Sequence, residues 1–85
     1  MSKIPDEETL IQALLTYSKE QIFDDSVEIK ADDLLSDTGI DSHNLLDLVI
    51  FLEREFDINI SDADLTAENL ASISTMARCA LRSLN

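Results

Sequence analysis

Glycine and proline are almost missing from this chain: 85 residues hold one of each, Gly39 and Pro5. A β-sandwich or barrel draws on both for its many tight turns, so an all-β or loop-rich design is excluded. Cysteine is as scarce. Cys79 stands alone, so no intramolecular disulfide forms and nothing points to an oxidising compartment. Within a helical apolar stretch it reads as a small core residue. One cysteine and one histidine, His43, do not make a structural zinc site, and no metal site is expected. Basic residues are few: six Lys and Arg face eighteen Asp and Glu, for a net charge of −12. Nucleic acid is a poor partner for such a surface, because phosphate binding needs Lys and Arg. Anionic membrane surfaces are disfavoured for the same reason. No apolar run approaches membrane-spanning length, and the opening MSKIPDEETL has no apolar signal-peptide core. A cytoplasmic chain is expected.

What is present favours helices. Apolar residues make up 45% of the chain, enough for a core, and 85 residues read as a single domain over 1–85. A chain this short buries roughly 60–65% of its unfolded surface, which leaves little depth for a walled catalytic cleft. Ala, Leu, Ile, Asp and Glu dominate, the mixture of helices with one wet face. A monomer is expected. Basic protein patches are the natural partners, steered in by the acidic charge; acidity that only keeps the chain soluble is the alternative.

Along the chain, Pro5 and the acids Asp6, Glu7 and Glu8 read as a helix start. Leu10, Ile11, Leu14, Leu15 and Ile22 then recur at helical spacing, predicting a helix over about residues 6–23. In the long connection from Asp24 to Asp41, Val27 and Ile29 alternate with charged residues. With no convincing second strand to pair with, they are expected as loop residues pinned to the core, and Leu34 and Leu35 as a short turn. Gly39 ends this segment, where a backbone conformation costly to other residues is expected. The next helix, SHNLLDLVIFLEREF, places Leu45, Leu48, Val49, Leu52 and Phe56 on one broad face, with Asp41 or Ser42 as its cap. Phe51 either covers the core or lies exposed. Ile58 and Ile60 alternate through a turn, and SDADL offers a short helix capped by Ser61. A last helix follows, with Ser72 or Ser74 as its cap. Its buried stripe is Ile73, Met76, Ala77, Ala80 and Leu81, and Arg78 and Arg82 form its basic end. The fold class is all-α: a small bundle of three main helices plus one short helix. The expected core is Leu14, Leu15, Leu48, Leu52, Phe56, Ile73 and Ala77.

Catalysis finds little support. A nucleophile needs a base within hydrogen-bond reach, but Ser42 and His43 are helical neighbours whose side chains point about 100° apart. There is no Gly-x-Ser-x-Gly elbow. An EF-hand counted back from Gly39 would start at Leu34, which fails. Asp24, Asp25, Asp32 and Asp33 read as a solvated acidic face, with weak, nonspecific divalent binding as the alternative. What remains is Asp41-Ser42 at the start of an acidic amphipathic helix. A serine there is exposed, and helix N-termini favour phosphate through their unpaired N–H groups and dipole. A simple capping role for Ser42 is the plain alternative.

The stretch DTGIDSHNLLDLVIFLEREFDINI resembles the modification region of acyl carrier proteins. Gly39, Ile40, Asp41 and Ser42 match the family's Gly, apolar or small residue, Asp and Ser, and Glu55, Phe56, Ile58 and Ile60 match the end of its helix and following turn. LTAENLASIS resembles the linker into the last helix of carrier domains. The likeness is close over about residues 34–60 and looser elsewhere.

The resemblance implies that Ser42 carries 4′-phosphopantetheine, attached covalently from coenzyme A. The arm's thiol would hold acyl, ketide or aminoacyl cargo as a thioester, and the chain would be a carrier, not an enzyme. Asp41 would serve the phosphopantetheinyl transferase, near its metal and the reacting phosphate. Acyl-loading and acyl-processing enzymes with basic docking patches would be the other partners. For the docking face, Leu46 and Ile50 share a stripe beside the arm, with Asp47 and Glu53 near it and His43 at its start. This face suits helix-in-groove docking; the alternative places Leu46 and Ile50 in the core. Two departures stand out. The family usually has Leu after the serine, where this chain has His43. The segment after Ile60 is slightly longer than in bacterial fatty-acid carriers, nearer polyketide or peptide-synthesis carriers. A non-modified acidic helical adaptor is the competing reading.

Overall fold

The computed structural model describes residues 5–23 and 28–83. Asp24, Asp25 and Val27 lie outside the described residues. Three α-helices carry the fold: α1 (Glu7–Gln21), α2 (Ser42–Phe56) and α3 (Ile73–Ser83). Two 3₁₀ turns, Leu35–Thr38 and Asp62–Asp64, sit in the connections, and there is no strand among the described residues. The short helix expected at SDADL is the second of these turns. Ser61 starts it, its Oγ accepting from the Ala63 N–H at 3.2 Å.

The helix ends follow from side-chain chemistry. Asp6 lies just outside α1 as its cap, with Oδ1 accepting from the Thr9 N–H at 2.8 Å. Hydrogen bonds from the Thr9 hydroxyl and N–H hold the Asp6 carboxyl below its ordinary pKa. α1 closes where the Ile22 and Phe23 N–H groups both donate to the Ser18 carbonyl, at 3.0 and 2.8 Å. It therefore stops two residues short of the expected 23. Asp57 ends α2 with a left-handed backbone, φ 54°, a conformation Asp tolerates better than most residues. At α3, Ser72 is the cap. Its Oγ accepts from the Thr75 N–H at 3.2 Å while Thr75 Oγ1 accepts from the Ser72 N–H at 3.0 Å. This is a reciprocal box with threonine in the place Glu usually takes.

α1 packs against both α3 and α2. Leu10, Leu14, Leu48, Leu52, Ile73 and Ala77 are fully buried, joined by Val49, Met76, Cys79 and Ala80. The connections contribute Ile29, Leu35, Ile58 and Ile60, so much of this small core comes from outside the helices. Two expected core residues are corrected. Leu15 and Phe56 pack at the edge of the core and are half-buried. Phe56 is the last residue of α2 and borders an open groove against α1. Leu81, expected in the buried stripe of α3, is half-buried as well.

Ser74 is not the cap. It is buried, and its Oγ donates to Asp32 Oδ1 at 2.7 Å. The Ser74 N–H donates to the Ala31 carbonyl at 2.9 Å and the Leu35 N–H to the Ala71 carbonyl at 2.8 Å. These bonds fasten the long connection to the start of α3. Asp32 is therefore more than part of a solvated face: the residue is exposed, yet one carboxylate oxygen reaches a buried hydroxyl.

Leu52→Ala is expected to cost about 2–5 kcal/mol, and the half-buried Phe56 less than the 3–5 kcal/mol or so of a fully buried aromatic. Urea midpoints of the two variants check the order. Asp32→Ala leaves the Ser74 hydroxyl buried without its partner and should cost about 1–3 kcal/mol in the same measurement.

Candidate functional site

The segment from Thr38 to Ser42 sets where α2 begins. Thr38 Oγ1 donates to the Leu35 carbonyl and accepts from the Ile40 N–H at 3.4 Å, closing the first 3₁₀ turn. Gly39 then takes a left-handed conformation, φ 82°. No atom lies within 4 Å of where a Cβ would stand, so glycine is required there by backbone angle and not by space. Ile40 is half-buried and Asp41 is extended, φ −93° and ψ 171°. Asp41 Oδ1 accepts from the Asn44 N–H at 2.9 Å, and its carbonyl accepts from the Leu45 N–H at 3.1 Å. The cap is Asp41, which leaves Ser42 as the first helical residue with its hydroxyl unused by the cap.

Ser42 is exposed. Among the described residues no acceptor meets the N–H of Ser42 or of His43, and the first turn contains no acidic residue. The positive end of α2 is open beside the hydroxyl. The other described serines are otherwise placed. Ser18, Ser72 and Ser74 are buried, Ser61 Oγ caps its turn, and Ser83 Oγ donates to the Cys79 carbonyl at 3.1 Å. Ser36 is exposed but sits inside a four-residue 3₁₀ turn, with no helix start beside it.

His43 is also exposed. Its Nε2 lies 3.8 Å from Asp47 Oδ2, one turn along the helix, a loose exposed contact of little energetic weight. The ring is directed toward Asp47, and among the described residues no basic group hydrogen-bonds the Ser42 hydroxyl. Leu46 and Ile50 are 46% and 44% exposed. The core alternative for these two is thereby removed. Glu53 differs from the others expected on the face. It is half-buried, and its Oε2 accepts from the Ile60 N–H at 3.1 Å, so its carboxylate holds the chain that leaves α2. Leu34, at 53% exposure, is an apolar surface residue that the sequence pattern did not single out. In the pair Leu34-Leu35 one side chain goes in and the other out, and nothing in two identical neighbours says which.

Behind α2 lies a small apolar hollow, lined by Val49, Leu52, Ile60, Leu65, Met76 and Cys79 among others. Its volume of about 10 Å³ is close to that of one water-sized sphere. An acyl chain would enter only by spreading these side chains. Burial, followed by the negative charge of Asp64, pushes the Cys79 thiol above its ordinary pKa, which disfavours the thiolate a nucleophile needs.

Comparison with known proteins decides the family. The profile described as "Phosphopantetheine attachment site" matches residues 9–79. An acyl carrier protein of Prochlorococcus marinus is 35% identical over 68 residues, covering 79% of this chain and 82% of that protein. The chain belongs to the phosphopantetheine-attachment carrier family. Two relatives from Bradyrhizobium diazoefficiens are named aminoacyl carrier proteins. Aminoacyl carrier protein 1 is 34% identical over 50 residues, 59% of this chain and 56% of that protein. Aminoacyl carrier protein 2 is 30% identical over 59 residues, 69% and 66%. No solved structure matches the chain.

The fold is that of the acyl carrier proteins, three helices with short 3₁₀ turns. The family's prosthetic group is 4′-phosphopantetheine, covalently bound. The residues present fit it: an exposed hydroxyl with no hydrogen-bond partner among the described residues stands at a helix start where the Ser42 and His43 N–H groups are open to a phosphodiester.

Asp41→Ala should cost about 0.5–2 kcal/mol in chemical unfolding and fray the first turn of α2, while Asp41→Asn keeps most of that stability.

Proposed function

We propose that this chain tethers acyl, ketide or aminoacyl intermediates on a 4′-phosphopantetheine arm at Ser42 and presents them to biosynthetic enzymes. The observation that carries the reading is the exposed Ser42 hydroxyl at the open N-terminus of α2, in a chain of the carrier family. When bound, the group supplies a terminal thiol to which a cargo is joined as a thioester. The chain's own residues supply position. Gly39 and Asp41 fix the helix start, Ser42 offers the attachment oxygen, and the Ser42 and His43 N–H groups favour the phosphate that would sit beside them.

Asp41 divides its carboxylate. One oxygen holds the Asn44 N–H, and the residue is exposed, so the other oxygen is open to a phosphopantetheinyl transferase. In this reading the base and the metal belong to that transferase. His43, Leu46, Asp47 and Ile50 form the docking face of α2, two half-exposed apolar side chains with an acidic edge. Glu53 supports that face by tying α2 to Ile60 more than by meeting a partner. Enzymes with basic patches are the partners this face suits. A net charge of −12 speaks for protein partners over nucleic acid or anionic membrane. Among the described residues no helix is long and apolar enough to cross a membrane. We read the chain as a non-catalytic, cytoplasmic, monomeric carrier whose single domain spans residues 1–85.

Incubated with coenzyme A, magnesium and a broad-specificity phosphopantetheinyl transferase, the purified chain should gain the mass of one phosphopantetheine group, and Ser42→Ala should gain none. A chain that stays unmodified with every transferase tried, and also in its native cell, would be an acidic adaptor and not a carrier.

A further inference from the structure

A groove of about 410 Å³ runs between α1 and α2. Gln12, Thr16, Tyr17 and Glu20 line it from α1, and Phe51 and Glu55 from α2. Phe51 and Glu55 follow Ser42 by nine and thirteen residues. At ~1.5 Å per residue, the groove therefore lies roughly 14–20 Å along α2 from the attachment serine.

Its chemistry is specific. The rings of Tyr17 and Phe51 stack with centroids 4.4 Å apart and planes 25° apart. Both residues are half-buried, so ring surface stays open to the groove. Glu20 and Glu55 are exposed. Among the described residues, neither carboxylate has a cation within 4 Å; the ion pairs present are His43–Asp47 and Arg78–Glu7. Aromatic surface bordered by two unpaired carboxylates, with no base in the lining, complements one group above others. The arginine guanidinium is planar, stacks on aromatic faces and bonds carboxylates through a fork of N–H donors. Neutral apolar partners would leave both carboxylates unanswered, and anionic ones would be repelled.

We propose that this groove docks an arginine-bearing segment of a partner protein, as a contact separate from the face beside Ser42. That the partner is an enzyme acting on the carried cargo rests on the carrier reading above, whereas the groove's chemistry does not. A contact at this distance holds the carrier while leaving the Ser42 end of α2 uncovered, so that an arm attached there stays free to reach a reaction centre.

The test uses the full chain. Tyr17 is the only tyrosine and there is no tryptophan, so tyrosine emission reports this groove alone. The purified protein is titrated with a synthetic helical peptide of alanine, leucine and three arginines, and with its citrulline twin, at an ionic strength of about 20 mM where screening is weak. The arginine peptide should change Tyr17 emission saturably and the citrulline twin should not. The double variant Glu20→Gln with Glu55→Gln should weaken binding about fivefold or more. A control pair away from the groove, Glu28→Gln with Glu68→Gln, removes the same charge and should change it by less than about twofold. Equal losses in both pairs, or binding without a Tyr17 response, would overturn the proposal, since attraction would then come from overall charge. A chain that takes the peptide but no phosphopantetheine would sink the carrier reading and leave the groove standing; a chain that is modified but gives no Tyr17 response would do the reverse.

Discussion

The carboxylate of Asp41, accepting the Asn44 N–H at 2.9 Å, decides where α2 starts. Everything else about the site depends on that phase. A helix begun one residue earlier or later would turn its buried stripe by about 100°. Leu48, Val49 and Leu52 would then no longer face the core together. The left-handed Gly39 makes the start possible by reversing the chain just ahead of the cap. Because Asp41 occupies the capping place, Ser42 is spared that task and keeps a free hydroxyl. The same short stretch therefore orients the core, leaves the Ser42 hydroxyl out of the cap and sets out the exposed apolar pair.

A chain of 85 residues has little core with which to hold such a stretch still. The long connection ahead of α2 is fixed by Ile29 and Leu35, both buried, and by the hydrogen bonds to the start of α3, of which the Asp32–Ser74 bond reaches a buried hydroxyl. Glu53 does similar work at the far end, holding the Ile60 N–H so that Ile58 and Ile60 turn inward. Both devices use an acid of a very acidic chain for structure, and so do the caps Asp6 and Asp41. The acidity is thus in part architectural. Asp47 on the α2 face and Glu20 and Glu55 on the groove are among the acids with no such structural task.

The three helices were legible because their apolar spacing is regular and their starts carry recognisable caps. Asp41 and Ser42 were singled out by the likeness to acyl carrier proteins; which of the two caps α2 stayed open in the sequence, and the structure gives the cap to Asp41. The features that escaped are tertiary. Ser72 and Ser74 are equivalent in the sequence, and only the position of Asp32 on a distant loop separates the cap from the tie. Phe56 has the helical spacing of a core residue, but α2 ends on it, so it meets the groove and not the centre. Glu53 has the spacing of a docking residue and is claimed by a backbone N–H seven residues on. The Tyr17–Phe51 stack joins two helices and has no signature in either.

The central claim is that Ser42, and no other hydroxyl, bears the prosthetic group. The most direct measurement is tandem mass spectrometry of proteolytic peptides from the chain isolated from its native cell. The account predicts phosphopantetheine on the peptide containing Ser42, localised to that residue. The same group on Ser36 or Ser61, or none on any peptide, would contradict it.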